Sequence, residues 1–473
     1  MRVKPTAPPP APILPPTESE AWRKQQPVSG SSGQVEIPAP QVRLLENGMT
    51  LYTLWRKTGI VSLSVVVRHG AEATVPGKSG LAALVARMLT ESTRRRNTFQ
   101  LAEAAENFGS VLQAGAQRDL IEVSLESLPG DTVQAVELLA EVVREPAFSS
   151  KDFERVRSQW LDDLLAERQS PTSLAALVGV RAMFGAFRGA PVNGGVGDVK
   201  KLALADLKNW HARYVTPSSA ALVAAGPIDP ETFMAAAQRA FGNWHAAPPT
   251  ESRVEYSAAV PSSHNVIVVD RKGAVQSALF AAQPFPRRTE GGHEARLILN
   301  DILGGLFTSR INMNLREAHA YTYGAHSSVV ANRNFGAFLV QTSVRTDATA
   351  ASLKELILEL SAVGSTKDSR PITADESTRA RADLEHRLGA RLEQNRYLVG
   401  DLETIFAEGL SADYYVGLPM IYAHLSVKDV EKQAVHIRAD QLTIVIVGDR
   451  EKIAPVLTQS GFTVKAPESE WVD

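Results

Sequence analysis

Two stretches of this chain, one near its middle and one near its end, follow a single plan. Ser218–Trp244 reads as a strand, Gly226-Pro227, a capping Asp229 and a helix; Ala439–Phe462 reads as a strand, Gly448-Asp449 and a helix. A repeat of that size predicts an internal duplication, in which each copy closes one half of the chain. At 473 residues the chain also exceeds what one hydrophobic core usually serves. The expected fold is therefore α+β, with two homologous α/β sandwiches in which a mainly antiparallel sheet is covered by helices. Pro and polar residues after Ala246 mark a linker at 246–260, which sets the halves at 41–245 and 261–473. Residues 1–40 read as a flexible Pro-rich arm, with seven prolines among the first 16 residues.

Local patterns fill in the halves. A hairpin is expected over Val42–Arg56, turning at Glu46-Asn47-Gly48, and the β-branched run Val61–Val67 reads as a buried strand. Ser79 is a plausible N-cap for a helix whose buried face is Leu81, Leu84, Val85, Met88 and Leu89. Helical patterns at 99–108, 131–144 and 150–168 alternate with strands at 119–126 and 220–225. The second half repeats the order, with strands at 265–270 and 277–282 and a helix over 295–303. The Gly-rich junction Leu303–Arg310 leads to a second helix ending at Arg316-Glu317. Strands at 324–330 and 337–343 and helices at 346–362 and 374–410 follow.

Composition excludes several functions. A net charge of −2, with Arg94-Arg95-Arg96 the densest basic run, gives no phosphate-tracking surface and argues against nucleic acid. The absence of cysteine rules out disulfides, thiolate metal sites and cysteine nucleophiles. No stretch reaches the ~18 apolar residues of a membrane span. A Pro-rich start is expected of a segment following a removed export signal, which points to a periplasmic or cell-envelope location, with the cytoplasm as the alternative.

Two segments carry a family resemblance. Val65-Val66-Val67-Arg68-His69-Gly70 is a hydrophobic strand ending in a Gly shortly before a helix. Leu303-Gly304-Gly305, Ser309-Arg310, Leu315-Arg316-Glu317 and Tyr323 form an ordered series in the second half. Together with Gly195, Asp198 and Tyr214-Val215-Thr216-Pro217, they make residues 42–463 resemble the metallopeptidase family of pitrilysin, insulin-degrading enzyme, mitochondrial processing peptidase and the complex III core subunits. Catalytic members carry His-x-x-Glu-His on the helix after that first strand. Here the register places Ala83-Leu84-Val85-Ala86-Arg87 there, with Ala83, Ala86 and Arg87 at the ligand and base positions and directed away from the apolar face. The third family ligand, a Glu, falls on Asp162-Asp163, most nearly Asp163, whose alternative is solvent exposure or pairing with an Arg.

No other catalytic constellation replaces the missing one. His293-Glu294-Ala295-Arg296-Leu297 begins like a zincin but has Leu where the second His belongs; His319 and His326 read as surface or partner-contact residues. The resemblance assigns the remaining chemistry to Arg316 and Tyr323, seven apart (323 minus 316), since an Arg and a Tyr at that spacing reach a substrate carbonyl at the metal in catalytic members. Tyr321 is expected on the same side as Tyr323 but at the wrong spacing, and Arg316 could instead pair with Glu317. Gly304-Gly305 could let an extended peptide approach, or make a tight helix connection.

The resemblance thus implies a non-catalytic subunit that holds no metal. Its homologous partner carries the zinc, Arg316 and Tyr323 act in trans, and the two chains enclose a chamber for peptide substrates. A silent scaffold like the complex III core subunits is the alternative, and an independent peptidase with a different site is the third reading.

Overall fold

The computed structural model describes residues 35–472 except 58, 251–255, 257, 259–260 and 365–368. Most of the expected arm and of the 246–260 linker therefore lies outside the described residues.

The first half contains β1 (Gln41–Leu44), β2 (Thr50–Trp55), β3 (Val61–Val67), α1 (Leu81–Leu89), α2 (Thr98–Glu106), β4 (Gln113–Ala116) and β5 (Ile121–Ser127). It continues with α3 (Thr132–Arg144), α4 (Ser150–Glu167), α5 (Pro171–Arg188), α6 (Val196–Lys201), α7 (Leu204–Tyr214), β6 (Ala220–Gly226) and α8 (Pro230–Phe241). The second half opens with β7 (Asn265–Asp270), β8 (Gln276–Pro284), α9 (His293–Asn300), α10 (Arg310–Asn312), β9 (Thr322–Ala331) and β10 (Gly336–Arg345). After them come α11 (Thr349–Gly364), α12 (Ala374–Arg391), α13 (Asn395–Glu408), α14 (Tyr414–His424) and α15 (Val427–Gln433). Last are β11 (Thr443–Gly448), α16 (Arg450–Gln459), β12 (Thr463–Lys465) and α17 (Ser469–Val472).

Two six-stranded mixed sheets result, ordered β1-β2-β6-β3-β5-β4 and β12-β7-β11-β8-β10-β9. From the second position on, the two orders are the same pattern. In each, the last long strand (β6 or β11) runs parallel to the first long strand (β2 or β7) and antiparallel to the next (β3 or β8). The duplication read from two segments extends in this way to the whole topology.

Local choices in the sequence account for several elements. In the β1–β2 turn the Asn47 amide donates to the Phe241 and Trp244 carbonyls at 2.7 and 3.1 Å, while Gly48 takes φ +87°. The turn is thereby bolted to the end of α8. Helix α1 departs from expectation at its start: Gly80, at φ +85°, precedes the first turn, and no side chain caps it. Ser79 instead bonds Asp198 through its hydroxyl at 2.6 Å and its N–H at 3.1 Å. The helix expected over 374–410 is two, α12 and α13.

Strands β3 and β6 are buried along their whole length. Continuous burial requires cover on both faces, and the second cover comes from the other half. Helix α13 lays Leu398, Val399, Leu402, Ile405 and Phe406 on Tyr52, Leu54, Val66 and Val223 of the first sheet. In exchange α5 packs Ala175, Val178, Met183 and Phe184 against Ile267, Val269, Phe280 and Val445 of the second. Gly179 faces the Phe280 ring so closely that a Cβ there would overlap it. The linker separates the sheets, while these two helices join them.

Carboxyl groups face one another where the halves meet. Burial, and then Asp119, push the Glu408 carboxyl up to about 9; burial, and then Glu122, push Glu403 up to about 8. Arg288 and Asn332 oppose the shift at Glu408, and Ser64 does so at Glu403. Between the ordinary carboxylate value of 4.5 and these raised values, the folded chain holds protons that the unfolded chain has released. Stability from the protonated pairs is fully present below that ordinary value and is lost as pH rises through about 8 to 9. Urea unfolding is therefore expected to show lower stability at alkaline than at mildly acidic pH, with a shallower dependence in Glu408→Gln. Gly179→Val is expected to cost about 1–3 kcal/mol through overpacking against Phe280, measured by the same denaturation.

Candidate functional site

Helix α1 sits where the sequence places it, with Leu84, Val85, Met88 and Leu89 in the first core. The expectation that Ala83 and Ala86 point away from that core is overturned: they are 4% and 1% exposed. Helices α4 and α7 and strands β4 and β5 lie against α1, and both methyl groups belong to the first core. Arg87 alone reaches outward. Its Nη1 stands 3.1 Å from Asp163 Oδ2 on α4, and its guanidinium carbon lies 3.3 Å from the centre of the Trp160 ring. Trp160 is fixed in turn by an Nε1–H bond to the Asn193 carbonyl at 2.9 Å.

The second-His position and the third-ligand position are thus brought together, and an ion pair joins them. Two methyl groups and a guanidinium offer no lone pair to a metal, so these residues do not fit a zinc ion. Among the described residues no group of three or more His, Asp or Glu converges as metal ligands do. The Arg87–Asp163 pair is itself largely solvated and worth little in stability. Stacking on buried Trp160 is the stronger tie, of order 0.5–2 kcal/mol.

The second half carries Arg316 in a π-helical turn, Met313–Ala318, that follows α10. Its guanidinium lies over the Phe307 ring at 4.5 Å, with Nε 3.4 Å from Glu317 Oε1. The chain then reverses through Ala320, at φ +50°, and enters β9. Tyr323, second in that strand, is 90% exposed. Tyr321 does not share its side, contrary to expectation. It lies ahead of the strand, half-buried against the second core and stacked on His319 at 4.9 Å. Gly304 is buried, and a Cβ there would lie 2.5 Å from Ser327 N, which makes close packing its reason. His293 is buried, and burial with Arg288 and Arg296 beside it lowers its imidazole to about 3.

Between α4–α5 and β9–β10 lies a cleft of about 690 Å³. Leu164 and Glu167, close to Asp163 on α4, line one side, and Tyr323 and His326 of β9 line the other. Sequence reasoning missed this cleft because it missed α5. Ser170 as N-cap and Pro171 at the first helical position announce that helix, but nothing local says which sheet it covers. Trp160 and Phe307, which hold the two arginines, were also missed; only their spatial neighbours single them out.

Replacing Ala83 with His, Ala86 with Glu and Arg87 with His would force an imidazole and a carboxylate into space filled by packed core. The triple variant is expected to lose at least about 1–3 kcal/mol and to bind well under one zinc per chain by equilibrium dialysis. One equivalent of zinc at an unchanged melting temperature would contradict this account of the site.

Sequence profiles of one family match two parts of the chain, the insulinase (peptidase family M16) domain over residues 53–181 and the peptidase M16 inactive domain over residues 201–384. The chain is 24% identical over 285 residues to an uncharacterized zinc protease of Mycobacterium leprae, covering 59% of this chain and 63% of that protein's length. It is 22% identical over 407 residues to the non-peptidase homolog YmxG of Helicobacter pylori, covering 82% of this chain and 89% of the homolog. The crystal structure of a peptidase M16 inactive domain from Pseudomonas fluorescens matches with a TM-score of 0.79 at 22% identity, covering 87% of this chain and 98% of that one. The duplicated topology, the helix in place without its ligands and the two matching profiles give one conclusion: this chain belongs to peptidase family M16, as a member that lacks the zinc motif.

Proposed function

We propose that this chain is the non-catalytic subunit of a heterodimeric zinc metalloendopeptidase, in which a homologous partner chain holds the zinc. Arg316 and Tyr323 would act in trans on the substrate. The observation that carries this reading is Tyr323, 90% exposed at the start of an edge strand, together with an Arg316, seven residues earlier (323 minus 316), whose guanidinium is half-exposed and braced by Phe307. An aromatic side chain presented in this way serves contacts outside its own chain better than its own core.

Zinc in the partner would supply the attacking hydroxide. On this chain's side, the Tyr323 hydroxyl and the Arg316 N–H groups donate hydrogen bonds to the carbonyl oxygen of a peptide held between the subunits. Negative charge develops on that oxygen as the carbonyl becomes tetrahedral, so bonds to it strengthen on the way to the transition state. Glu317, 3.4 Å from Arg316 Nε, keeps the fork from turning away while leaving its outer N–H groups available to substrate. The remaining surface of this chain would form half of the peptide chamber. A cell-envelope location accords with the Pro-rich first segment and belongs to the same proposal.

A second reading, a catalytically silent scaffold, is favoured by the relative that is named a non-peptidase homolog. Co-expression with a zinc-bearing homologue separates the two. Arg316→Ala and Tyr323→Phe are each expected to lower turnover by the complex by about 10²–10³-fold, with subunit assembly and zinc content unchanged. Full activity in both variants would reject the in-trans role, and the failure of any zinc-bearing homologue to co-purify would favour the scaffold.

A further inference from the structure

The cleft between α4–α5 and β9–β10 has two walls of opposite character. On the helical side Leu164, Leu174, Leu177 and Val180 present aliphatic groups, and the only hydroxyls of that lining, Thr172 and Ser173, sit in the first turn of α5. Facing them, Gln276, His326, Gln341 and Ser343 present amides, an imidazole and a hydroxyl from the sheet. Fixed charge is close to balanced. Glu167 and Arg168 stand at the α4–α5 corner with one charge of each sign, and the Arg118 guanidinium is committed to the Phe335 ring at 4.3 Å and to Tyr256 Oη and the Arg188 carbonyl, both at 3.3 Å.

An extended peptide sends successive side chains to opposite sides. Between an aliphatic wall and a hydrogen-bonding wall, one register of such a peptide satisfies both walls at once. In that register the odd side chains are aliphatic and the even ones polar. A peptide with its apolar residues in a block would bury polar groups against Leu174 and Leu177, or apolar groups against Gln341 and Ser343, leaving those buried polar atoms unpaired. The volume, about 690 Å³, lies within the range of sites that enclose a ligand.

We propose that this cleft is a peptide subsite belonging to this chain alone, and that it selects extended, uncharged segments in which aliphatic and polar residues alternate. The inference deepens the chamber of the proposed function, since Tyr323 stands in the same cleft wall and would meet the carbonyl of a peptide leaving the slot. It does not need the partner subunit for binding.

The test uses the full chain without a partner and two fluorescent, end-blocked peptides of one composition, leucine and glutamine in alternation or in two blocks, followed by anisotropy. The alternating peptide is expected to bind about tenfold or more tightly than the blocked isomer. Leu177→Asp and Gln341→Leu should each weaken it by a similar factor. Both substituted side chains are only half-buried, and Gln341→Leu adds no charge, so it tests the wall even if Leu177→Asp fails to fold. Equal binding of the two isomers, absence of saturable binding, or wild-type affinity in Gln341→Leu would overturn the proposal. Those results would leave the in-trans role intact, because that role is read from turnover by the complex in Arg316→Ala and Tyr323→Phe. Loss of turnover there with no selective binding here would reject the subsite alone; selective binding here with full turnover there would reject the trans role alone.

Discussion

Each sheet of this protein has two apolar faces and only one set of helices of its own. That mismatch is resolved by exchange, with α5 crossing to the second sheet and α13 to the first. Everything described at the candidate site depends on it. Because α5 leaves α4 at Ser170-Pro171 and runs onto the other half's sheet, the α4–α5 corner is held against β9 and β10, and a cleft forms there instead of a flat surface. Because α13 returns the exchange, the halves are locked in one orientation by two apolar seams, in which single glycines such as Gly179 set the approach distance.

The lost metal centre shows how a fold outlives its chemistry. A metal binds four groups together through strong directional bonds, and removing its ligands would leave a polar hole. Here the hole is gone. Methyl groups at Ala83 and Ala86 are buried in the first core, and the one remaining long side chain, Arg87, spans to Asp163 and stacks on Trp160. The ion pair is exposed and weak, while the packing beneath it carries the stability. Helix α1 therefore keeps its orientation for reasons that have nothing to do with zinc.

On the second half the reverse holds, since groups useful in chemistry are displayed at some cost in cover. Tyr323 and Phe307 are large apolar surfaces left in solvent, and Arg316 is held by a ring and a neighbouring carboxylate rather than by a buried partner. The left-handed conformation of Ala320 belongs to the same construction. It turns the chain sharply between Arg316 and β9, which begins at Thr322, after Tyr321. Strand alternation misplaced Tyr321 because it assumed a strand had already begun there.

By itself the sequence determined what depends on local pattern and on intervals. The strand over Val61–Val67, the apolar face of α1 and the duplication were legible because periodicity and side-chain type express them without reference to the rest of the chain, while the empty ligand positions and the Arg316–Tyr323 spacing were legible through the family resemblance. The 76-residue interval from Arg87 to Asp163 was legible as well, though not the ion pair that fills it. Tertiary structure alone decided which sheet α5 and α13 cover, that Ala83 and Ala86 are sealed, which rings hold Arg87 and Arg316, and that a two-walled cleft lies beside Tyr323. The physical reason is common to all four. Apart from Arg316 on Phe307, nine residues away (316 minus 307), each is a contact between surfaces far apart in the chain, and an apolar helix face records that it will be buried without recording what will bury it.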